Sequence, residues 1–277
     1  MVRGTTALVA HIGWPTHAFR SPAIYNPWFA SRGVDAVVVP MACRAADYPG
    51  FLRALFRLDN VGGALVTMPH KVTTASLVDR RTAAVEIAGA CNAVRRDPDG
   101  ALVGDLFDGE GFVRGLRRRG HAVAGARALV VGAGGVGSAI AASLAQAGAA
   151  SVRVCDVRED AARSLVERLR SHVPAVRVDA GSNDPAGADI VVNASPLGMD
   201  DGDPLPLDPA RLAPGAVVGE VVMARETTPL LAAAAARGCA VQTGLDMLFE
   251  QIPAYLAFFG FPEATADELR AVARLEG

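Results

Sequence analysis

Apolar residues along this chain fall into two alternating rhythms. In short continuous runs they crowd together, and in longer stretches they return every third or fourth position. Runs over 6–12, 34–40 and 63–68 predict three buried strands. Between them, 24–32, closed by Gly33, and 48–58 predict helices. Strands that alternate with helices imply a parallel sheet, so the first third of the chain reads as a small α/β layer of its own. A helix is predicted over 79–88, ending at Gly89. Segments 93–96 and 101–104 form a hairpin across Asp97-Pro98-Asp99-Gly100, because Asp, Pro and Gly are turn residues. A helix over 109–119 then leads into a second alternating series.

That series opens on a strand at 128–131, which runs into Gly132, Gly134 and Gly137. A helix follows, with Val136, Ile140 and Leu144 at four-residue spacing until Gly148. Strands are predicted at 151–155, 175–178, 189–193 and 216–222, and helices at 160–171, from Thr227 through Leu230 to Gly238, at 246–259 and at 264–275. The alanines between Leu231 and Gly238 read as a tightly packed helix face. No internal repeat or low-complexity linker interrupts the pattern.

Composition narrows the classes. A chain of 277 residues has room for two cores, and 51% hydrophobic with 20% charged residues is globular rather than disordered. A formal net charge of −2 and few, scattered aromatics argue against nucleic acid or an anionic membrane as partner. Cys43, Cys91, Cys155 and Cys239 lie far apart with no C-x-x-C pair, which suggests neither zinc nor disulfides and fits a reduced cytoplasm. The five histidines show no ligand spacing, so no metal is expected, and His70 reads as structural or as a rim residue. No apolar stretch approaches the ~18 residues of a membrane span, and no signal peptide is read.

Gly132, Gly134 and Gly137 have the G-x-G-x-x-G spacing, here between a strand and a helix. The first glycine allows the tight turn, the second lets backbone approach a pyrophosphate, and the third lets helix and strand pack closely. With Gly135 and Val136 they present the N–H groups and positive dipole end of the new helix to phosphates. Asp156 ends the next strand roughly 20 residues on, where an acid holds a ribose 2′-hydroxyl. Ligands of such sheets bind beyond the carboxyl ends of the strands. The loop Asn193-Ala-Ser-Pro-Leu-Gly-Met199 sits at such an end and places Asn193, Ser195 and Met199 beside the nicotinamide half of a dinucleotide.

Further stretches combine permissive backbone with polar side chains: 13–22, Val66-Thr-Met-Pro-His-Lys71, Gly89-Ala-Cys-Asn-Ala-Val94, Gly104-Asp-Leu-Phe-Asp-Gly109, and Gly244-Leu-Asp-Met-Leu-Phe-Glu-Gln251. Their order and spacing, with the glycine turn and the 193–199 loop, resemble the shikimate and quinate dehydrogenase family along nearly the whole chain. The resemblance implies an α/β fold of two domains with a cleft between them. Residues 1–106 with 243–277 would form the substrate-binding domain and 107–242 a Rossmann-type NAD(P)-binding domain. It also implies NAD(P)-linked oxidation of a ring alcohol on a cyclic hydroxy acid, and it leaves a homodimer open. By the same resemblance Lys71 and Asp108 are the catalytic pair, Ser21, Thr67, Asn92 and Gln251 contact substrate, and Gly244 joins the cofactor residues. The chemistry suits such a pair, since the hydroxyl proton must leave as hydride moves, and a Lys–Asp pair can relay it. Asp108 could also cap the helix expected from Gly109.

Several positions depart from the family pattern. Its first motif usually ends His-Ser-x-Ser-Pro, whereas this chain has Ala18-Phe19-Arg20-Ser21-Pro22, so Phe19 stands in place of a serine that grips the substrate carboxylate. Leu106-Phe107 replaces the usual Asn-Thr, Leu65 a common asparagine, Met223 the late tyrosine, and Arg225 the usual proline. Arg20 or Arg225 could supply the lost anion contact. Where NADP-dependent members carry Asn-Arg-Thr, this chain has Cys155-Asp156-Val157, which favours NAD over NADP, although Arg158 nearby could accept a 2′-phosphate. Two further readings are a non-catalytic NAD(P)-binding sensor on the same fold and a related two-domain dehydrogenase of another substrate, such as a folate. The presence of both Lys71 and Asp108 favours the shikimate- or quinate-type enzyme.

Overall fold

The structure is a computed structural model and describes residues 2–275. The chain divides into two compact units, Met1–Phe107 with Ile252–Gly277, and Asp108–Gln251. The first is built from β1 (Ala7–Gly13), α1 (Pro22–Arg32), β2 (Ala36–Ala42), α2 (Tyr48–Leu55), β3 (Val61–Val66), α3 (Lys71–Leu77), β4 (Arg80–Arg81), α4 (Ala83–Ala88), β5 (Ala93–Arg96) and β6 (Leu102–Asp105). Its sheet has the order β2-β1-β3-β5-β6-β4. The first three strands are parallel, as the alternation implies, and β5 is antiparallel to both β3 and β6.

Local sequence explains most of these elements. Pro22 suits the first turn of α1, and Gly33, at φ +66°, ends it in the left-handed conformation that costs glycine nothing. The helix expected over 79–88 starts later. Asp79 exchanges a backbone bond with Leu102 and its carboxylate accepts the Leu102 N–H at 2.8 Å, so 80–81 joins the sheet as β4 and only 83–88 is helical. The chain after β3 turns into α3, a helix that the hydrophobic rhythm did not reveal.

The second unit contains α5 (Asp108–Arg118), β7 (Arg127–Val131), α6 (Gly135–Gln146), β8 (Ser151–Cys155), α7 (Glu159–His172), β9 (Arg177–Ala180), β10 (Ile190–Asn193), β11 (Val217–Glu220), α8 (Pro229–Ala236) and β12 (Ala240–Gln242). All six strands are parallel in the order β12-β11-β10-β7-β8-β9. This is the doubly wound order, which reverses between β7 and β10. Leu129, Val191 and Val218 of the sheet bury against Leu230, Leu231 and Ala234 of α8, the alanine-rich helix read as a packed face. That helix starts at Pro229 rather than Thr227, because Thr228 is its N-cap and accepts the Leu231 N–H.

Helix α9 (Gly244–Phe258) gives 244–251 to the second unit and the rest to the first, where α10 (Ala266–Val272) follows. The return to the first unit therefore falls at residue 252 rather than 243. Gly111 of α5 explains this, since a Cβ there would lie 2.6 Å from Gln251 Cβ and 2.7 Å from the Met247 carbonyl. Arg118–Glu250 and Arg119–Asp246 ion pairs fix the same contact. In the first unit, the Phe259 ring covers Gly63 on β3, and Phe261 packs 5.0 Å from Phe29. Phe107 stays with that unit through its N–H bond to Asn92 and its edge-on packing with Tyr255 and Phe258.

Candidate active site

In the first unit, the carboxyl ends of β1 and β3 are neighbours, and the loops leaving them are stitched together. Thr67 N–H donates to Ile12 O at 2.9 Å and Trp14 N–H to Met68 O at 2.9 Å. The Val66 N–H reaches Asn92 O, and the Cys91 N–H reaches Lys71 O, both at 2.8 Å. Thr67 and Lys71, from one turn, and Asn92, distant from them in sequence, are thus gathered by backbone bonds at one end of the sheet. Asn92 is fully buried. Its Oδ1 accepts the Phe107 N–H at 3.1 Å, while its Nδ2 has no partner. A buried polar atom without a partner marks a place for water or a ligand group.

Phe19 belongs to the same cluster. Its ring stacks on His11 with centroids 3.9 Å apart, and a Cβ on Gly13 would sit 2.5 Å from Thr67 Cγ2 and 2.8 Å from Phe19 Cζ. Glycine at 13 therefore lets the two loops close over the strand end. His11, to which sequence reasoning gave no role, is buried with its Nδ1 unpartnered. Its pKa is pushed down to about 3, mainly by burial and further by Lys71, so it stands neutral. The signal for it was a histidine just before the Gly13 turn of an apolar strand. Ser21 is buried at the start of α1. His70 is buried too, its Nε2 2.9 Å from Cys43 O and its ring stacked on Tyr48 at 4.0 Å, which makes it structural. Lys71 is the first residue of α3.

In the second unit, Asp108 is buried and lies inside α5 rather than ahead of it. There its negative charge suits the positive end of the helix. Gln251 is buried in α9, with Oε1 unpartnered.

The glycine turn follows β7, at the reversal of strand order. Gly132 has φ +109°, and a Cβ on Gly137 would fall 1.9 Å from Gly132 O, so helix and turn touch as only glycine permits. A Cβ on Gly134 would meet nothing within 4 Å, which leaves open space on the side where phosphate would approach. Gly135 and Val136 begin α6. These features fit a dinucleotide. Asp156 Oδ2 accepts the Ala133 N–H at 2.6 Å and Oδ1 the Arg158 N–H at 2.9 Å, so the acid ties the glycine turn to the next loop. The Arg158 side chain is 70% exposed, and Val157 is 99% exposed.

Asn193 ends β10 next to Glu220 at the end of β11. Its Nδ2 donates to Glu220 Oε1 at 2.7 Å and to Leu197 O at 2.9 Å, and its Oδ1 accepts from Ser195 Oγ at 2.6 Å and Ser195 N at 3.0 Å. Met199 is 40% exposed on the same loop. Gly244 opens α9 where a Cβ would sit 2.6 Å from Val222 O. Arg225 pairs with Asp201 at 2.5 Å, which commits that cation within its own unit.

Glu220 escaped the sequence reading, although an acid at the end of an otherwise apolar run was the visible signal. Burial pushes its pKa up to about 7 against the hydrogen bonds that favour its ionised form. The folded chain thus holds a proton that the unfolded chain releases near 4.5. Stability from this group is fully present below that value and lost as pH rises through about 7, an upper bound of about 3 kcal/mol. Thermal midpoints at about pH 5 and pH 8.5 check this: the wild type is expected to drop more than Glu220→Gln.

Among the described residues, no group of three or more His, Cys, Asp or Glu could hold a metal, and no helix is long and apolar enough to cross a membrane.

Residues 12–94 match the family model described as the shikimate dehydrogenase substrate binding domain, and 127–193 match that of the 3-hydroxyacyl-CoA dehydrogenase NAD binding domain. The shikimate dehydrogenase (NADP(+)) of Rhodospirillum rubrum is 38% identical over 283 residues, covering 98% of each chain. The chain belongs to the shikimate dehydrogenase family. Its fold is similar to that of shikimate 5-dehydrogenase from Listeria monocytogenes in complex with shikimate and NAD (TM-score 0.88, 27% identity, 98% of this chain and 97% of that one). It is also similar to quinate dehydrogenase from Corynebacterium glutamicum in complex with NAD (TM-score 0.86, 29% identity, 96% and 98%). The first unit carries the family's substrate-binding domain and the second its Rossmann domain, and the protein is an enzyme of this family.

Proposed function

We propose that this enzyme transfers hydride between a nicotinamide cofactor and a ring alcohol of shikimate, quinate or a related cyclic hydroxy acid. The observation that carries the reading is likeness to a shikimate dehydrogenase over the full length of both chains, with Lys71 in the Thr67-Met68-Pro69-His70-Lys71 turn. Relatives along the whole chain are enzymes, which favours catalysis over the sensor reading.

In this reading Lys71 and Asp108 handle the hydroxyl proton. During oxidation the O–H proton passes to the unprotonated Lys71 Nζ while the hydrogen on the same carbon leaves with its bonding pair as hydride, and the reverse reaction returns both. The cofactor, when bound, accepts or supplies that hydride. Thr67, Asn92, Ser21 and Gln251 hold the hydroxyls and carboxylate, and the unpartnered Asn92 Nδ2 and Gln251 Oε1 are groups that a polyhydroxylated ring would satisfy. Gly132, Gly134, Gly135, Val136 and Gly137 hold the pyrophosphate, with Asn193, Ser195, Met199 and Gly244 on the nicotinamide side.

NAD is the proposed cofactor. A carboxylate at Asp156, followed by the uncharged Val157, accepts a 2′-hydroxyl and repels a 2′-phosphate. The R. rubrum relative is named for NADP(+), whereas the Listeria and Corynebacterium structures hold NAD. Turnover of shikimate and quinate with each cofactor, followed by absorbance at about 340 nm, tests the proposal. Absence of turnover across a broad panel of cyclic hydroxy acids would overturn it.

Phe19→Ser restores a hydroxyl where the family carries one. The expected result is an increase in kcat/KM for shikimate on the order of tenfold, the worth of one hydrogen bond to a charged group. Unchanged or lower kcat/KM would show that carboxylate binding in this enzyme does not run through position 19.

A further inference from the structure

Two side-chain donors converge on one buried carboxylate at the ends of two neighbouring strands. Glu220 is 1% exposed. Its Oε1 accepts from Asn193 Nδ2 at 2.7 Å and its Oε2 from Thr228 Oγ1 at 2.9 Å, while the Val221 N–H donates to Asn193 O at 3.3 Å. The two side-chain partners come from different pieces of the unit's carboxyl edge, Asn193 from the end of β10 and Thr228 from the start of α8. Asn193 pins the 194–199 loop through Leu197 O and Ser195, and Thr228 caps α8 through the Leu231 N–H at 3.3 Å. The 221–228 segment and the 194–199 loop also meet where the Cβ position of Gly198 lies 3.9 Å from Thr228.

We infer that Glu220 is a positioning residue that locks the 194–199 loop to the 221–228 segment through Asn193 and Thr228, and so sets how tightly the second unit holds its nicotinamide cofactor. This rests on the function proposed above. A carboxylate serves because both side-chain partners offer hydrogens. Protonated, it presents an O–H that the Thr228 hydroxyl can accept only by turning its own hydrogen away from the carboxylate. Burial raises the pKa of Glu220 while the Asn193 and Thr228 bonds lower it, so with the side chain still buried when the loop releases, the lock is strongest in the ionised form.

The carboxylate's recorded partners on β10, on α8 and on its own segment are uncharged. Of the charged groups nearby in sequence, Arg225 is paired with Asp201, and Asp203 accepts the Gly198 and Asp200 N–H groups at 2.9 and 3.1 Å. Asp200 and Glu226 complete the titratable set of these two segments.

The test combines cofactor binding by calorimetry with amide hydrogen exchange of the full chain without cofactor. In Glu220→Gln the amide group brings two hydrogens of its own to these two donors. NAD(H) affinity is expected to fall on the order of tenfold at pH 8, and exchange to quicken within 194–199 and 221–228. Wild-type affinity should strengthen as pH rises through neutrality, Glu220→Gln should be flat, and Glu220→Asp should regain part of the slope. Asn193→Ala should weaken binding in a way that is not additive with Glu220→Gln, because the two act as one unit.

A folded Glu220→Gln protein with wild-type affinity and wild-type pH profile would overturn the inference. If that variant does not fold, wild-type exchange corrected for intrinsic rate decides. Greater protection of 194–199 above neutrality than below supports the lock, and equal protection overturns it. A wild type that binds neither nicotinamide cofactor would overturn the proposed function, while the exchange result would still report on the lock.

Discussion

Replacing Lys71 by alanine is expected to lower kcat by between about 10² and 10⁴-fold, the range of a positioned proton-transfer group. Cofactor affinity should stay close to wild type, because Lys71 belongs to the first unit and the glycine turn to the second. Lys71→Arg sharpens the result. Arginine keeps the positive charge but does not deprotonate at working pH, so a proton acceptor is lost while the electrostatics remain. If Lys71→Arg stays as slow as Lys71→Ala, the residue moves a proton. Recovery of most of the activity would show that it supplies charge alone. Steady-state rates at about 340 nm and calorimetric titration of the same preparations separate kcat from binding. A Lys71→Ala enzyme with near wild-type kcat would remove the residue from the chemistry.

Gly137→Ala is expected to damage both the stability of the second unit and its cofactor binding. The added methyl would lie 1.9 Å from Gly132 O, and a backbone carbonyl has no rotamer to retreat into. The turn or the start of α6 must move, at a cost of about 1–3 kcal/mol. A lower thermal midpoint and a loss of cofactor affinity of a hundredfold or more should appear together. Gly134→Ala makes the contrast, since its methyl would meet no protein atom within 4 Å. Its midpoint should hold while affinity falls, because only a bound pyrophosphate needs that space. If Gly134→Ala binds cofactor as the wild type does, the phosphates do not approach the turn from that side.

The Rossmann unit was open to reading because its determinants are local. The 128–131 apolar run, the glycine spacing and the 151–155 strand each record a conformation that neighbouring residues impose, and the structure has them at Arg127–Val131, Gly132–Gly137 and Ser151–Cys155. Helix α3 and strand β4 were hidden for the opposite reason. The seven residues of α3 carry no amphipathic rhythm, and Arg80–Arg81 becomes a strand only because Asp79 bonds to Leu102, 23 residues away. Position 19 shows both sides. Sequence revealed that a phenylalanine stands where the family has serine, but only the fold put its ring on the neutral His11.

What the sequence by itself determined was the order of the longer strands and helices, the glycine turn and the residues whose chemistry suits a hydride-transfer enzyme, because these depend on periodicity, backbone freedom and side-chain type. The tertiary structure alone decided which strand ends are neighbours. That gathered Thr67, Lys71 and Asn92 through backbone bonds and set Glu220 against Asn193, since strand pairing, antiparallel between β3 and β5 and parallel between β10 and β11, brings together residues that are distant along the chain, and burial then changes what those residues can do.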